Sequence, residues 1–319
     1  MPVSRRTFLA STAATALASQ SRRAAPGPNI VLIVAGDMPA WLLGCYGNRE
    51  VRTPNIDLLA RSGSRLASHT ATSPAAAATW ATLMTGRTPR QHGIQGLPGD
   101  TPPGERFANE TTLGDLLSQA GRRCAYVGAW HAGAGDKPQH GFTHWQPWTA
   151  SDAGWAAETI TRRAVEFLNA QQSGQPFFLV VSYPVPQPPY QGHPAEFDRM
   201  YTSVSFETLN WLPAARNAAE GKEFLGDYLA SMRRYAAAMS ALDSQIPSIV
   251  GALDRRGLRD STLTVFTSTN GLLAGRHGLW RGGAGSDPWN LYAEGLETPM
   301  IWNWPGTVPV EGVRSELAG

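Results

Sequence analysis

The 319 residues predict an α/β fold with a mainly parallel central sheet flanked by helices. Three observations carry this expectation. Asn29 to Ala35, NIVLIVA, is a continuous apolar run rich in β-branched residues, as a strand buried on both faces requires. Pro176 to Tyr183 is another such buried strand, and Arg123 to Val127 and Ser261 to Thr267 also read as strands. Helical patterns separate them, which is the alternation of a parallel sheet with helical crossovers.

In chain order, Ser4-Arg5-Arg6-Thr7-Phe8-Leu9 precedes an Ala/Thr-rich segment ending at Ala16-Leu17-Ala18. A charged start, a short apolar run and small residues make residues 1–25 a signal peptide of twin-arginine type, too short to span a membrane. The mature protein is therefore expected outside the bacterial cytoplasm, in the periplasm or otherwise exported. The strand from Asn29 ends in Gly36-Asp37, so an acidic side chain follows a strand's C-terminal end, where open α/β sheets keep their ligands. Thr53-Pro54 before Asn55 to Leu59 reads as an N-cap with proline at N1.

Thr72 to Arg87, TSPAAAATWATLMTGR, predicts a Ser-Pro turn and a helix N-terminus. Free N–H groups and the helix dipole favour an anion there, yet the tip carries Ala75, Ala76, Ala77 and Ala78. Thr111 to Ala120 and Asp152 to Gln172 are helical. Pro184 to Pro194 is too proline-rich for regular structure. Glu223 to Arg256 is helical with an interruption at Pro247. Asn270 to Gly285 is a glycine-rich loop, and Met300 to Trp302 a last short strand.

Composition narrows the function. Hydrophobic residues at 42% and charged residues at 16% suit a soluble globular protein with a large core. A net charge of +2 gives no reason to expect nucleic acid or an anionic membrane as partner. Trp130, Trp145, Trp148, Trp280 and Trp289 lie in Gly/Pro-rich segments, where they either fill space beneath loops or line a carbohydrate pocket. Cys45 and Cys124, the two cysteines, make no disulfide framework and are expected as buried thiols.

Taken together, Pro28-Asn29-Ile30-Val31-Leu32-Ile33, Leu43-Gly44-Cys45-Tyr46-Gly47-Asn48, Thr53-Pro54-Asn55-Ile56-Asp57, Leu83-Met84-Thr85-Gly86-Arg87 and His92-Gly93-Ile94 form a collinear set. Phe177-Phe178-Leu179, Phe266-Thr267-Ser268, His277-Gly278-Leu279-Trp280 and Trp304-Pro305-Gly306 continue it. In order and spacing this set resembles the sulfatases of the alkaline phosphatase superfamily. The resemblance implies an alkaline-phosphatase-like sandwich, with a smaller C-terminal subdomain that these 319 residues leave out. A truncated gene and a fragment both account for that.

Active members of the family use a Cys-x-Pro-x-Arg motif whose Cys becomes formylglycine, a calcium ion held by two Asp and an Asp-Asn pair, and Lys and His side chains around the sulfate. By resemblance, Ala76 stands at the nucleophile position, Ala78 at the proline and Trp80 at the arginine. The paired Asp become Gly36 and Asp37, and the Asp-Asn pair becomes Thr269 and Asn270. Ala129 replaces a Lys and His131 is kept. Gln187 replaces a His, and the last Lys has no equivalent, with Gly282 nearest and Arg281 supplying part of its charge.

The expectation is an inactive family member: no cofactor, or calcium only if the remnant pair Asp37 and Asn270 still binds it. An active alternative would use Thr79 as a displaced nucleophile with His131 or His277 as acid or base. A third alternative is a binding module in which Trp80, Gln187 and Arg281 hold a sulfated or other carbohydrate without turnover.

Overall fold

The computed structural model describes residues 27–96, 103–172 and 174–315. The signal-peptide expectation lies outside them. In chain order the framework begins with β1 (Asn29–Ala35), α1 (Pro54–Arg61), β2 (Ser64–Leu66), α2 (Ala76–Thr85), α3 (Leu113–Gln119), β3 (Arg123–Gly128) and β4 (His144–Pro147). It continues with α4 (Ala156–Asn169), β5 (Phe177–Ser182), α5 (Tyr228–Asp243), α6 (Ile246–Arg255), β6 (Thr262–Ser268), β7 (Met300–Asn303) and β8 (Gly312–Arg314).

The described strands form one eight-stranded sheet in the order β4-β3-β5-β1-β6-β7-β2-β8. β4, β3, β5, β1 and β6 are parallel, and β7 pairs antiparallel with both β6 and β2. The apolar runs of β1, β3 and β5 are buried along nearly their whole length, because helices cover both faces of the sheet. Val31, Ile33, Leu179 and Val181 point into one core, packed by α1, α4, α5 and α6. Leu32, Val34 and Val180 point into the other, with Trp80 and Met84 of α2.

Three expectations shift at their edges. The helix placed over Asp152 to Gln172 begins only at Ala156, because Asp152 closes a turn instead. Its Oδ2 accepts from Thr149 N–H at 2.9 Å and its Oδ1 from Arg163 at 2.7 Å. The helical region from Glu223 divides into α5 and α6, with Pro247 in the first turn of α6, where a missing N–H costs nothing. Thr53 occupies the N-cap position of α1, but its side chain makes no cap hydrogen bond. That work falls to Asp243, at the far end of α5, whose carboxylate accepts from the N–H groups of Asn55 and Ile56.

Register positions the site. Ala35 pairs with Ser268, Val34 with Ser182, and Ser182 with Gly128. The C-terminal ends of β3, β5, β1 and β6 therefore lie in one row, and the segments leaving them start side by side. Both cysteines are free thiols: Cys124 is buried in the α2-side core and Cys45 half-buried against the other. No helix among the described residues is long and apolar enough to cross a membrane.

Candidate functional site

Main-chain bonds build the row before any side chain enters it. Tyr183 N–H donates to Val34 O at 2.8 Å, Gly36 N–H to Val185 O at 3.1 Å, and Thr269 N–H to Ala35 O at 2.9 Å. Asp37 then turns into the left-handed region with φ of 50°, an uncommon conformation for a residue with a Cβ. Two contacts hold it there: the Tyr235 hydroxyl donates to Asp37 O at 2.7 Å, and Met38 N–H donates to Ser268 Oγ at 2.9 Å.

The Asp37 side chain is buried. Its Oδ1 accepts from Gln187 Nε2 and its Oδ2 from Arg281 Nη2, each at 3.4 Å. Burial pushes its carboxyl above the ordinary range, and Arg281 and Gln187 act against that push. Gln187 also closes the space beside Gly36, where an added Cβ would stand 3.0 Å from the glutamine's Cγ and Cδ. Arg281 reaches a second carboxylate, Glu220 Oε2, at 3.0 Å.

Opposite stands the start of α2. Asn270 donates from Nδ2 to Ser73 O at 3.0 Å, while its buried Oδ1 has no hydrogen-bond partner. Asp37, Ala75, Ala76, Glu220, Asn270, Arg281 and Trp289 are among the residues that enclose a pocket of about 200 Å3 at this helix N-terminus. Among the described residues, no cysteine, serine, threonine, histidine or lysine lines it.

Several predicted site residues lie elsewhere. Thr79 is buried, and its hydroxyl donates to Ser73 O at 2.9 Å instead of facing the pocket. Trp80, expected against a ligand, is 0% exposed. Its ring packs on Trp130 at 4.5 Å, Phe107 at 5.2 Å and Tyr126 at 6.1 Å, so it is a core residue. His131 lies beside that cluster, 6.2 Å from Trp80 between ring centroids. Its Nε2 is buried without a partner, and burial pushes its pKa down to about 4, leaving it neutral at physiological pH.

Just upstream, Gly128 has φ of 117°, and an added Cβ would meet Ser182 O at 1.9 Å, so the turn that delivers His131 admits only glycine. His277 is exposed, paired with Glu294 at 3.2 Å and stacked on Tyr292 at 3.9 Å. It does not line the pocket.

Sequence reasoning missed Glu220 and Tyr235, whereas Trp289, one of five loop tryptophans expected either to fill space or to line a pocket, does line this one. Glu220 comes from a loop whose N–H groups at 219 and 220 donate to Gly285 O and Ala284 O, at 2.9 and 3.0 Å. No local pattern announces such a pairing.

A calcium ion takes about six to eight oxygen ligands. Here both Asp37 oxygens already accept a side-chain donor, Gly36 supplies no carboxylate, and Asn270 offers one free oxygen. Among the described residues no group of three or more His, Cys, Asp or Glu could hold a metal. These residues do not fit the ion.

The Sulfatase family model matches residues 28–318. The chain belongs to the sulfatase family. Human arylsulfatase D is 26% identical over 91% of this sulfatase-family chain and 62% of its own length. The chain spans 61–64% of the length of the first curated relatives it matches. Among solved structures, yidJ of Bacteroides fragilis superposes with a TM-score of 0.73 at 25% identity, covering 92% of this chain and 72% of that one. Ps i-CgsB, solved in complex with k-i-k-neocarrahexaose, gives a TM-score of 0.71 at 25% identity, with 91% and 69% covered. The alkaline-phosphatase-like sandwich anticipated from the sequence is the fold of these proteins.

Proposed function

We propose that this chain is an exported sulfatase-family protein that binds a carbohydrate in its pocket and does not hydrolyse sulfate esters. The observation that carries the reading is the pocket wall at the start of α2. Ala75 and Ala76 stand where a nucleophile would meet a bound anion, and a methyl group cannot attack sulfur. The active alternative through Thr79 gains no support, since that hydroxyl is turned to Ser73 O.

Carbohydrate is the favoured ligand class for two reasons. Trp289, the Asn270 amide and the Glu220 carboxylate supply a ring and hydroxyl acceptors around the pocket. A structural neighbour was also solved with an oligosaccharide.

The test is a sulfatase, phosphatase and phosphodiesterase panel on one purified preparation, with and without calcium, followed by a glycan array. Background rates with retained glycan are expected. Sulfate release that Asp37→Ala abolishes would overturn the reading. Cell fractionation, with Arg5 and Arg6 replaced by lysine as the control, tests export.

A further inference from the structure

The network around Asp37 has a consequence for metal dependence. Among the described residues, Arg281 is the one charged donor that Asp37 meets, and its position is built. It follows Trp280, whose fully buried ring donates from Nε1 to Tyr190 OH at 2.9 Å and lies 6.4 Å from the ring of Tyr235. The same Tyr235 donates its hydroxyl to Asp37 O. One aromatic cluster therefore pins both the backbone that carries the cation and the backbone that carries the carboxylate.

The guanidinium spans Asp37 at 3.4 Å and Glu220 at 3.0 Å, while Gln187 covers the other oxygen of Asp37 and the empty side of Gly36. A buried carboxylate left without a counter-charge is strongly destabilising. A fixed guanidinium meets that need without any ion.

We propose that Arg281 is an internal cation that takes over the charge-neutralising role of a divalent ion at Asp37, so that the folded protein needs no calcium. This rests on reading the pocket as one without metal-assisted hydrolysis, and extends it to how the site is held together.

The experiment uses the full chain. Metal content is measured after dialysis against calcium, and thermal melting is compared in calcium and in EDTA. No stoichiometric calcium and equal melting temperatures are expected. One retained calcium per chain, or a melting temperature raised by calcium, would overturn the proposal.

A double-mutant cycle supplies an independent arm. Arg281→Met should lower the melting temperature, Arg281→Lys should lower it less, and Asp37→Asn added to Arg281→Met should recover part of the loss, because no bare carboxylate remains. Strictly additive effects would refute the pairing. If Arg281→Met does not fold, the wild-type metal and melting measurements still decide. Calcium uptake without hydrolysis defeats this inference alone, and metal-free hydrolysis defeats only the proposed function.

Discussion

Trp80→Ala removes one of the two largest fully buried side chains among the described residues, and its cost follows from what the ring touches. Trp130, Phe107 and Tyr126 surround it at centroid separations of 4.5, 5.2 and 6.1 Å. Large-to-small replacement of a buried aromatic costs about 3–5 kcal/mol, the upper end applying where rigid neighbours cannot collapse into the space. Rings from two separate segments of chain, Phe107 on one and Tyr126 and Trp130 on the other, are such neighbours. A loss of about 4 kcal/mol is a large share of the roughly 5–15 kcal/mol that holds a domain folded. Trp80→Arg should cost more, since a guanidinium would join the same void with no carboxylate in the cluster to pair it. Urea denaturation followed by far-ultraviolet circular dichroism measures both. A loss below about 1 kcal/mol for the alanine variant, or wild-type stability for the arginine variant, would refute the placement of this ring in the core. If the costs are that large, an arginine cannot be accommodated at position 80 without repacking the aromatic cluster on that face of the sheet.

Two further expectations use the same denaturation assay. Asp243→Ala strips the N–H groups of Asn55 and Ile56 of their shared acceptor and should cost about 2–3 kcal/mol, while Asp243→Asn, which keeps one acceptor oxygen, should cost less; equal stability of all three proteins would show that α1 is capped in another way. His131 has a folded-state pKa pushed down to about 4 from an ordinary 6.5, so the stability it contributes is complete above pH 6.5 and is lost as the pH falls toward 4, by on the order of 2–3 kcal/mol. Asp243, pushed up to about 6 by burial, acts with the opposite sign in part of that window, so the informative quantity is the difference between wild type and His131→Gln, and parallel pH profiles would refute the assignment to His131.

The central strands were legible because burial on both faces leaves a nearly continuous apolar run in β1, β3 and β5, and β-branched residues mark β6. β2, β4 and β8 were not, since strands of three or four half-buried residues leave no pattern long enough to recognise. The cap of α1 was misread for a related reason: Thr53 has the right chemistry in the right place, but the acceptor arrives from another helix. Within the site, Asp37 was identifiable from its position after a strand end and Asn270 and Arg281 through the family resemblance, and the three line one pocket. Trp80 was not, because one side of a helix can face a ligand or a core depending on what tertiary structure lays against it, and here Phe107 and Trp130 do. Glu220 depends on loop pairing that only the folded chain displays.

The strand ends from which Asp37 and Asn270 emerge are held together by peptide groups bonded between neighbours, as in Tyr183 to Val34 and Thr269 to Ala35. Those bonds are indifferent to which side chains project above them. The main-chain frame is thus independent of the side chains above it, whereas the buried Asp37 carboxylate ties its Arg281 partner to stability. Side chains at such a place can be exchanged within a standing frame as long as the buried charge keeps a partner, and Gln187 beside Gly36 shows how one side chain fills the space there.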